Sequence, residues 1–374
     1  MGKWEMVPFD IAISDETKNG TKIMKENYLQ NGRYPIIDQG KELIAGYSNK
    51  KDGIYENIPA IIFGDHTRVI KYIDMPFFLG ADGVKLLKSK ISEIDYKYLY
   101  YYLTTERIPN TGYNRHFKWL KEVCIPLPPL EVQRQIADVL DRASALIEKR
   151  KAQIEKLDLL VKSRFIEMFG DPVTNPKGWG RKSLKTVISR ANNGMARRGN
   201  DESGNIVLRL VELQDGYIDY SNPNRIFLRD DEKKRYLLHE NDFLFARVNG
   251  NPEYVGRCAV FHDIHEDVYH NDHIIRVHFD ETRLDGNFAS VLLNSAYGKR
   301  QMKSQIKTSA GQYTINQDGI GAIEVILPPL SIQNEFADFV HQIKMQKQLL
   351  QHSLTKLELN YKSLIQKCFR DEIF

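Results

Sequence analysis

The chain has 374 residues, of which 42% are hydrophobic, 27% charged and 10% aromatic, with a formal net charge of +4. That length suits two or more domains, and the composition excludes a mainly disordered or collagen-like chain. The small positive charge permits nucleic-acid binding without demanding it.

No apolar run reaches the roughly 18 residues of a membrane helix, so no membrane partner is expected. The opening stretch lacks the apolar core of a signal peptide. Cys124, Cys258 and Cys368 lie far apart, which indicates neither a disulfide framework nor a clustered metal site. A cytoplasmic protein is expected.

In chain order, residues 1–126 read as a mixed α/β module that opens on Trp4. The β-branched runs Ile58–Ile62 and Val69–Ile73 read as strands, and Asp95–Thr104 as a helix. Pro128 and Pro129 bar a helix until just after them. From Glu131 to Met168 there is no Gly or Pro. The apolar stripe Ile136, Leu140, Ala143, Ile147, Ile154, Leu157, Val161 and Met168 steps by three and four, as a coiled-coil seam does. Gly170, Asp171 and Pro172 stop this helix, and Asn175-Pro176-Lys177-Gly178 adds a turn-rich linker.

Residues 171–327 form a second mixed α/β module opening on Trp179. Its expected strands include Ile206–Leu210 and Ile274–Phe279, followed by a helical stretch Asn287–Lys303 and a Gly-containing loop. After Pro328 and Pro329 a second long helix carries the stripe Phe336, Val340, Ile343, Leu350, Leu354, Leu357, Tyr361 and Leu364. At about 1.5 Å per residue each helix is roughly 55–60 Å long. Arg150 and Lys347 fall in the seams, either as snorkelling side chains or as charges that fix register.

The sequence repeats itself. Ile125-Pro126-Leu127-Pro128-Pro129-Leu130 returns as Val325-Ile326-Leu327-Pro328-Pro329-Leu330. The match runs on without a gap through Gln133 and Gln333, Ala137-Asp138 and Ala337-Asp338, Lys156-Leu157 and Lys356-Leu357, and Phe169 and Phe369. The modules correspond more loosely. Gly32–Ile37 parallels Gly204–Arg209, Ile61–Gly64 parallels Phe243–Ala246, and Ala81–Leu86 parallels Asn271–Arg276. A helix framework that is the same twice, behind modules that differ, suits one scaffold presenting two different readers.

Catalytic signatures are missing. There is no P-loop, no GxSxG, no HExxH and no polar-Pro-Pro-aromatic loop for a target amine. Half of the ten histidines lie at 262, 265, 270, 273 and 278, without a metal-ligand spacing. They are expected as surface and strand histidines, and no metal is expected. Basic and amide residues gather instead in Gly-spaced loops. In module one these are Lys22, Lys25, Asn27, His66, Thr67, Arg68, Asn114 and Arg115, the last two in Tyr113–His116. In module two they are Asn192, Asn193, Arg197, Arg198, Arg247, Asn249, Gln312 and Tyr313, the last two in Lys307–Tyr313. Arg pairs with guanine, and Asn or Gln with adenine, through two hydrogen bonds each. Arg197 and Arg198 share the loop Asn192–Asn200, where Gly194 and Gly199 let the backbone approach DNA closely.

On Pro128–Ala137, its copy from Pro328, the stretch Asn241–Arg247 with Val255-Gly256-Arg257, and Tyr28–Lys41 with Phe63–Arg68, the chain resembles the DNA-specificity subunit of type I restriction–modification systems. The resemblance covers nearly the whole chain. It implies two α/β target recognition domains, 1–126 and 171–327, separated by a central helix (127–170) and a second helix (328–374) that form an antiparallel coiled-coil spacer. It also implies an approximate internal two-fold. The helices would then bury Ile136, Leu140, Ile147, Leu157 and Val161 against Phe336, Ile343, Leu350 and Leu357. Each domain would read one half of a bipartite, asymmetric double-stranded DNA target. The resemblance implies no catalysis by this chain. Two modification subunits would dock on it and supply S-adenosylmethionine for adenine methylation. Two restriction subunits, where the system has them, would supply ATP and Mg-dependent translocation and cleavage. Ser331 stands where the first copy has Glu131, and almost no leader precedes module one. Both slightly weaken the symmetry expected of partner docking. The rival reading is a coiled-coil scaffold that never touches DNA.

Overall fold

The computed structural model describes residues 4–370, 372 and 373, apart from 81, 113 and 310. Ala81, Tyr113 and Ala310 of the motifs above thus lie outside the described residues. The chain divides into two compact units, Met1–Ala152 with Gln351–Phe374, and Gln153–Leu350. Each unit takes one α/β module and one half of each long helix.

Unit 1 is built on a four-stranded antiparallel sheet in the order Ile13–Asp15, Val84–Ser89, Ala60–Gly64, Ile70–Ile73. Ala60–Gly64 is buried along its whole length. Ile61 and Phe63 pack with Ile13, Leu99 and Phe117, whereas Ala60 and Ile62 pack with Ile37, Phe77 and Leu79. Successive side chains point to opposite faces, so a strand covered on both sides reads as an unbroken apolar run. The strand starts two residues later than expected, after Pro59. A second sheet pairs Tyr34–Ile37 antiparallel with Gly46–Ser48 and parallel with Phe78–Leu79. Glu5–Pro8 pairs with Cys124–Leu127. The helix Tyr96–Thr105 is capped by Asp95, whose carboxylate accepts from the backbone N–H of Lys97 and Tyr98.

Unit 2 repeats this plan. Its four-stranded sheet runs Ile188–Asn193, Ile274–Phe279, Phe243–Ala246, Cys258–Val260. Asn205–Leu208 pairs antiparallel with Arg225–Ile226 and parallel with Val268–His270. Gly180–Ser183 pairs with Glu324–Leu327. A further sheet, Val248–Asn249, Gln312–Thr314 and Lys307–Ser309, stands where the sequence suggested loops. The expected single helix Asn287–Lys303 is two, Gly286–Asn294 and Ala296–Gln305. Ser295 between them is extended, and its hydroxyl accepts from Gly298 N–H at 3.3 Å. A Cβ at Gly298 would stand 2.2 Å from Leu293 O, so glycine lets the second helix turn tightly against the first.

The long helices are Leu130–Phe169 and Leu330–Phe369, 40 residues each. In unit 1, Ile136, Ala137 and Leu140 of the first helix pack with Tyr361, Leu364, Ile365 and Cys368 of the second. In unit 2, Phe165 and Phe169 meet Phe336 with ring centroids 5.6 and 5.4 Å apart. There Lys347 Nζ donates to both carboxylate oxygens of Asp158 at 2.6 and 2.8 Å, and Arg164 NH2 to Glu335 at 3.0 Å. The later residue on one helix meets the earlier on the other, so the pair runs antiparallel. Lys347 therefore makes a cross-helix pair that favours one register, rather than only reaching for water. Ile136, Leu140 and Phe336 are fully buried, Ile147, Leu157 and Ile343 nearly so, and Val161, Leu350 and Leu357 half-buried.

The repeated glutamines clamp helix to module. Gln133 Oε1 accepts from Asp95 N–H at 2.9 Å, while its Nε2 donates to Pro128 O at 2.9 Å and Glu93 O at 3.2 Å. Gln333 does the same to Asp285 N–H, Pro328 O and Arg283 O at 3.0, 2.8 and 3.0 Å. Asp285, like Asp95, caps the next helix, accepting from Phe288 N–H. Among the described residues no helix is long and apolar enough to cross a membrane.

Candidate nucleic-acid interface

In unit 1, Gly64 and Val84 are register partners, so the turn after one strand and the turn before the other share an end of the sheet. Asp65 anchors that end. Its N–H donates to Gly83 O at 2.7 Å, its carbonyl accepts from His116 N–H at 2.8 Å, and its carboxylate accepts from Phe117 N–H at 2.7 Å. These bonds fasten the loop before Phe117 to the turn that follows Gly64. Arg68 has φ 63°, and its N–H closes the turn onto Gly64 O at 2.7 Å while NH1 donates to Ile108 O at 3.2 Å. His66 Nδ1 lies 3.2 Å from Asn114 O, and Thr67 Oγ1 donates to Gln39 O at 2.5 Å. Gln39 Nε2 donates to Asp82 O at 3.2 Å, and Asp82 pairs with Lys22 at 3.1 Å. Lys22, His66, Thr67, Arg68 and Asn114 are thus brought together, with exposed Arg115 next in the chain. Lys25 and Asn27 are exposed in a short 3-10 turn, and among the described residues no hydrogen bond joins them to this group.

In unit 2 the equivalent end is marked by Ala246 facing Ile274. Arg247 N–H donates to His273 O at 2.7 Å, the counterpart of the bond from Asp65 to Gly83. Arg247 NH1 donates to Asp272 O at 3.1 Å. Arg198 NH2 stands 2.7 Å from Asp272 Oδ1 and 3.1 Å from His273 Nε2. Asn249 pairs with Tyr313, beside exposed Gln312, and Ile315 N–H donates to Arg247 O at 2.9 Å. Arg198, His273, Arg247, Asn249, Gln312 and Tyr313 therefore share one end. Burial, then Arg198 and Arg247, hold the His273 imidazole below its ordinary range, with Asp272 opposing.

Two of the expected contact residues, Arg197 and Asn192, serve the interior. Arg197 parts from Arg198: its NH2 donates to Phe227 O and, at 2.6 Å, to the buried carboxylate of Glu232. Asn192 and Asn193 end the strand Ile188–Asn193 rather than lying in a loop. Asn192 Oδ1 accepts from Nε of the buried Arg276 at 2.9 Å, and Asn193 Oδ1 accepts from Gln317 Nε2 at 3.4 Å.

The histidine run also resolves. His273 lies in the turn before the strand, not in it, and His270 ends the strand Val268–His270, fully buried. Neither ring nitrogen of His270 has a hydrogen-bond partner among the described residues, and burial pushes its pKa down to about 3. No group of three metal-ligating side chains occurs among the described residues. Gln39, Asp82 and Asp272 are absent from the expected contact residues, and His273 is expected only as a surface or strand histidine. Asp82-Gly83 and Asp272-His273 each stand just before the matching strand of the repeat, which is the signal that marks them.

Residues 3–156 and 200–359 match the model of the type I restriction modification DNA specificity domain. The chain is 30% identical over 267 residues to the StySPI type I restriction enzyme specificity subunit of Salmonella potsdam. It is 25% identical over 268 residues to the EcoKI specificity subunit of Escherichia coli. Each match takes in 67% of this chain and 57% of the relative, so the chain spans little more than half the length of these curated relatives. In fold it is similar to the S subunit of a type I system from M. genitalium, with TM-score 0.62 at 16% identity over 98% of this chain and 96% of that one. With the family model matching well over half of its residues, in one stretch that covers nearly all of the first module and another that covers the second from residue 200 onward, the chain belongs to the type I restriction modification DNA specificity domain family.

Proposed function

We propose that this chain is a sequence-specific DNA-binding specificity subunit of a type I restriction–modification complex. Module 1–126 reads one half of a bipartite target and module 171–327 the other. The long helices, about 60 Å each, act as the spacer that sets the unread gap and as the platform for two modification subunits. The chain supplies no catalytic group. S-adenosylmethionine is held by the modification subunits, which flip and methylate adenine. ATP and Mg belong to two restriction subunits where the system has them. The complex works in the cytoplasm.

One observation carries this reading. Two modules share the same sheet order, yet present different polar side chains at the same end: Lys22, His66, Thr67 and Arg68 in one, Arg198, Arg247, Asn249 and Gln312 in the other. A common scaffold with unlike reading edges suits an asymmetric target better than a scaffold that never meets DNA. Methylome sequencing of cells with and without the gene tests it. The expected result is loss of one bipartite methylated motif, and an unchanged methylome overturns the reading. Replacing residues 1–126 by another first module should alter one half-site and leave the other intact.

A further inference from the structure

Both modules hold a basic side chain against an aspartate at the same point of the fold. Asp82 and Asp272 each stand two residues before the strand that runs beside the most buried strand of the sheet, Val84–Ser89 or Ile274–Phe279. Lys22 Nζ lies 3.1 Å from Asp82, and Arg198 NH2 lies 2.7 Å from Asp272. The partners come from segments bonded to matching strands, Ile23 N–H to Leu79 O at 2.9 Å and Met195 N–H to His270 O at 3.0 Å, with Lys22 one residue before its bond and Arg198 three residues after. The surrounding residues differ, while the cation–carboxylate pair recurs.

Both cations stay open to solvent, although Arg198 NH1 also donates to Ala196 O at 2.8 Å and its NH2 stands 3.1 Å from His273 Nε2. Lys22 and Arg198 keep 42% and 51% of their side-chain surface exposed. Asp272 Oδ1 takes no hydrogen bond among the described residues, so an ion contact alone ties it to Arg198. A phosphate presents a guanidinium or ammonium with the same kind of acceptor oxygens as a carboxylate does. It therefore competes for the same cation.

Resting on the DNA-reading function proposed above, we infer that Asp272 and Asp82 are carboxylate latches, which hold Arg198 and Lys22 until a DNA phosphate displaces them. The latch lowers affinity for DNA of any sequence. It keeps the basic edge from being occupied by indiscriminate duplex, and the contacts that read bases decide where the complex stays. The effect is larger at Asp272, which is 27% exposed, than at Asp82, which is 97% exposed and so screened by solvent.

The test uses the full chain assembled with its modification subunits and a non-target duplex at fixed salt. Asp272→Asn should tighten binding by about three- to tenfold, and Asp82→Asn by about twofold. The double variant Arg198→Ala with Asp272→Asn should bind no more tightly than Arg198→Ala alone, since the latch acts only through its cation. Glu281→Gln removes the same charge from the far end of the same strand, about 20 Å away and beyond the screening length, and should change nothing. Weakened or unchanged binding by Asp272→Asn overturns the latch. So does tightening that persists in the double variant, or that Glu281→Gln reproduces. A wild-type complex that binds no duplex at all overturns the DNA-reading function itself, a separate result.

Discussion

At the end of each four-stranded sheet where the polar side chains gather, the two units build on the same framework in different ways. In unit 1 a tight turn, Gly64–Val69, is braced from outside by the loop that ends at His116. In unit 2 the chain leaving the equivalent strand forms Val248–Asn249, which joins Gln312–Thr314 and Lys307–Ser309 in a sheet of its own. Away from that end the units share the same strand order, parallel pair, capped helix and glutamine clamp, to which unit 2 adds the helices Asp230–Tyr236 and Ala296–Gln305. What has to fit the long helices is kept, and what faces outward is free to differ. Under the proposed DNA-reading function, a β-ribbon and a braced turn would offer different side-chain spacing to a groove and so let one scaffold hold two specificities.

The strongest way to break this comparison is through the helix seams. Phe336→Ala in unit 2 should cost roughly 3–5 kcal/mol, because it empties a site shared with Phe165 and Phe169. Leu157→Asp, with its side chain in the same seam, should cost several kcal/mol (about 3 or more) by placing an unpaired charge among apolar groups. Urea unfolding of the variant complexes measures both, and losses below about 1 kcal/mol would mean the seam is not packed as described.

Next come the clamps. Gln133→Leu and Gln333→Leu each orphan a buried N–H and carbonyls, at roughly 2–4 kcal/mol apiece. Similar costs in the two units would sharpen the view that the framework is duplicated. A large cost in one and none in the other would break it.

Acid should separate the units. His270 occupies the place of apolar Leu79: the residue after each donates its N–H to the matching strand, Gly80 to Ile37 O and Asn271 to Leu208 O. His270 is neutral in the fold, with its pKa pushed down to about 3 from 6.5. The unfolded chain takes up the proton first, so this contribution to stability is complete above about pH 6.5. It is lost as pH falls toward about 3, by up to about 1.4 kcal/mol per pH unit. His270→Leu should flatten that slope between pH 6.5 and 5 in denaturant titrations, and an unchanged slope would remove His270 as its cause.

Neighbouring arginines give a finer test. Arg197→Ala strips a partner from buried Glu232 and should lower stability by roughly 1–3 kcal/mol. Arg198→Ala should leave stability alone and weaken DNA binding instead. A base contact would appear as roughly 1–3 kcal/mol and a relaxed methylation motif, a phosphate contact as a salt slope smaller by about one. Smallest of all, Lys347→Ala should cost less than about 1 kcal/mol, since its pair with Asp158 is partly solvated.

By itself the sequence determined the duplicated framework. Paired prolines cannot sit within a helix, so they marked where both helices start, and the stepped apolar residues marked which face is buried. It also announced the basic and amide loops as a set. Tertiary structure alone decided which members face outward. Arg197 and Arg198 are identical and adjacent, yet one meets a buried glutamate and the other an aspartate at the sheet end. Asn192 looked like a loop residue and became a strand residue holding Arg276. The hairpin at Lys307–Thr314 has strands of three residues, too short to show alternation, and its second strand also pairs with Val248–Asn249, some sixty residues earlier in the chain. Periodicity is a local property and survives in one sequence. The partner of a charge or of a three-residue strand is set by distant residues that only the folded chain brings near.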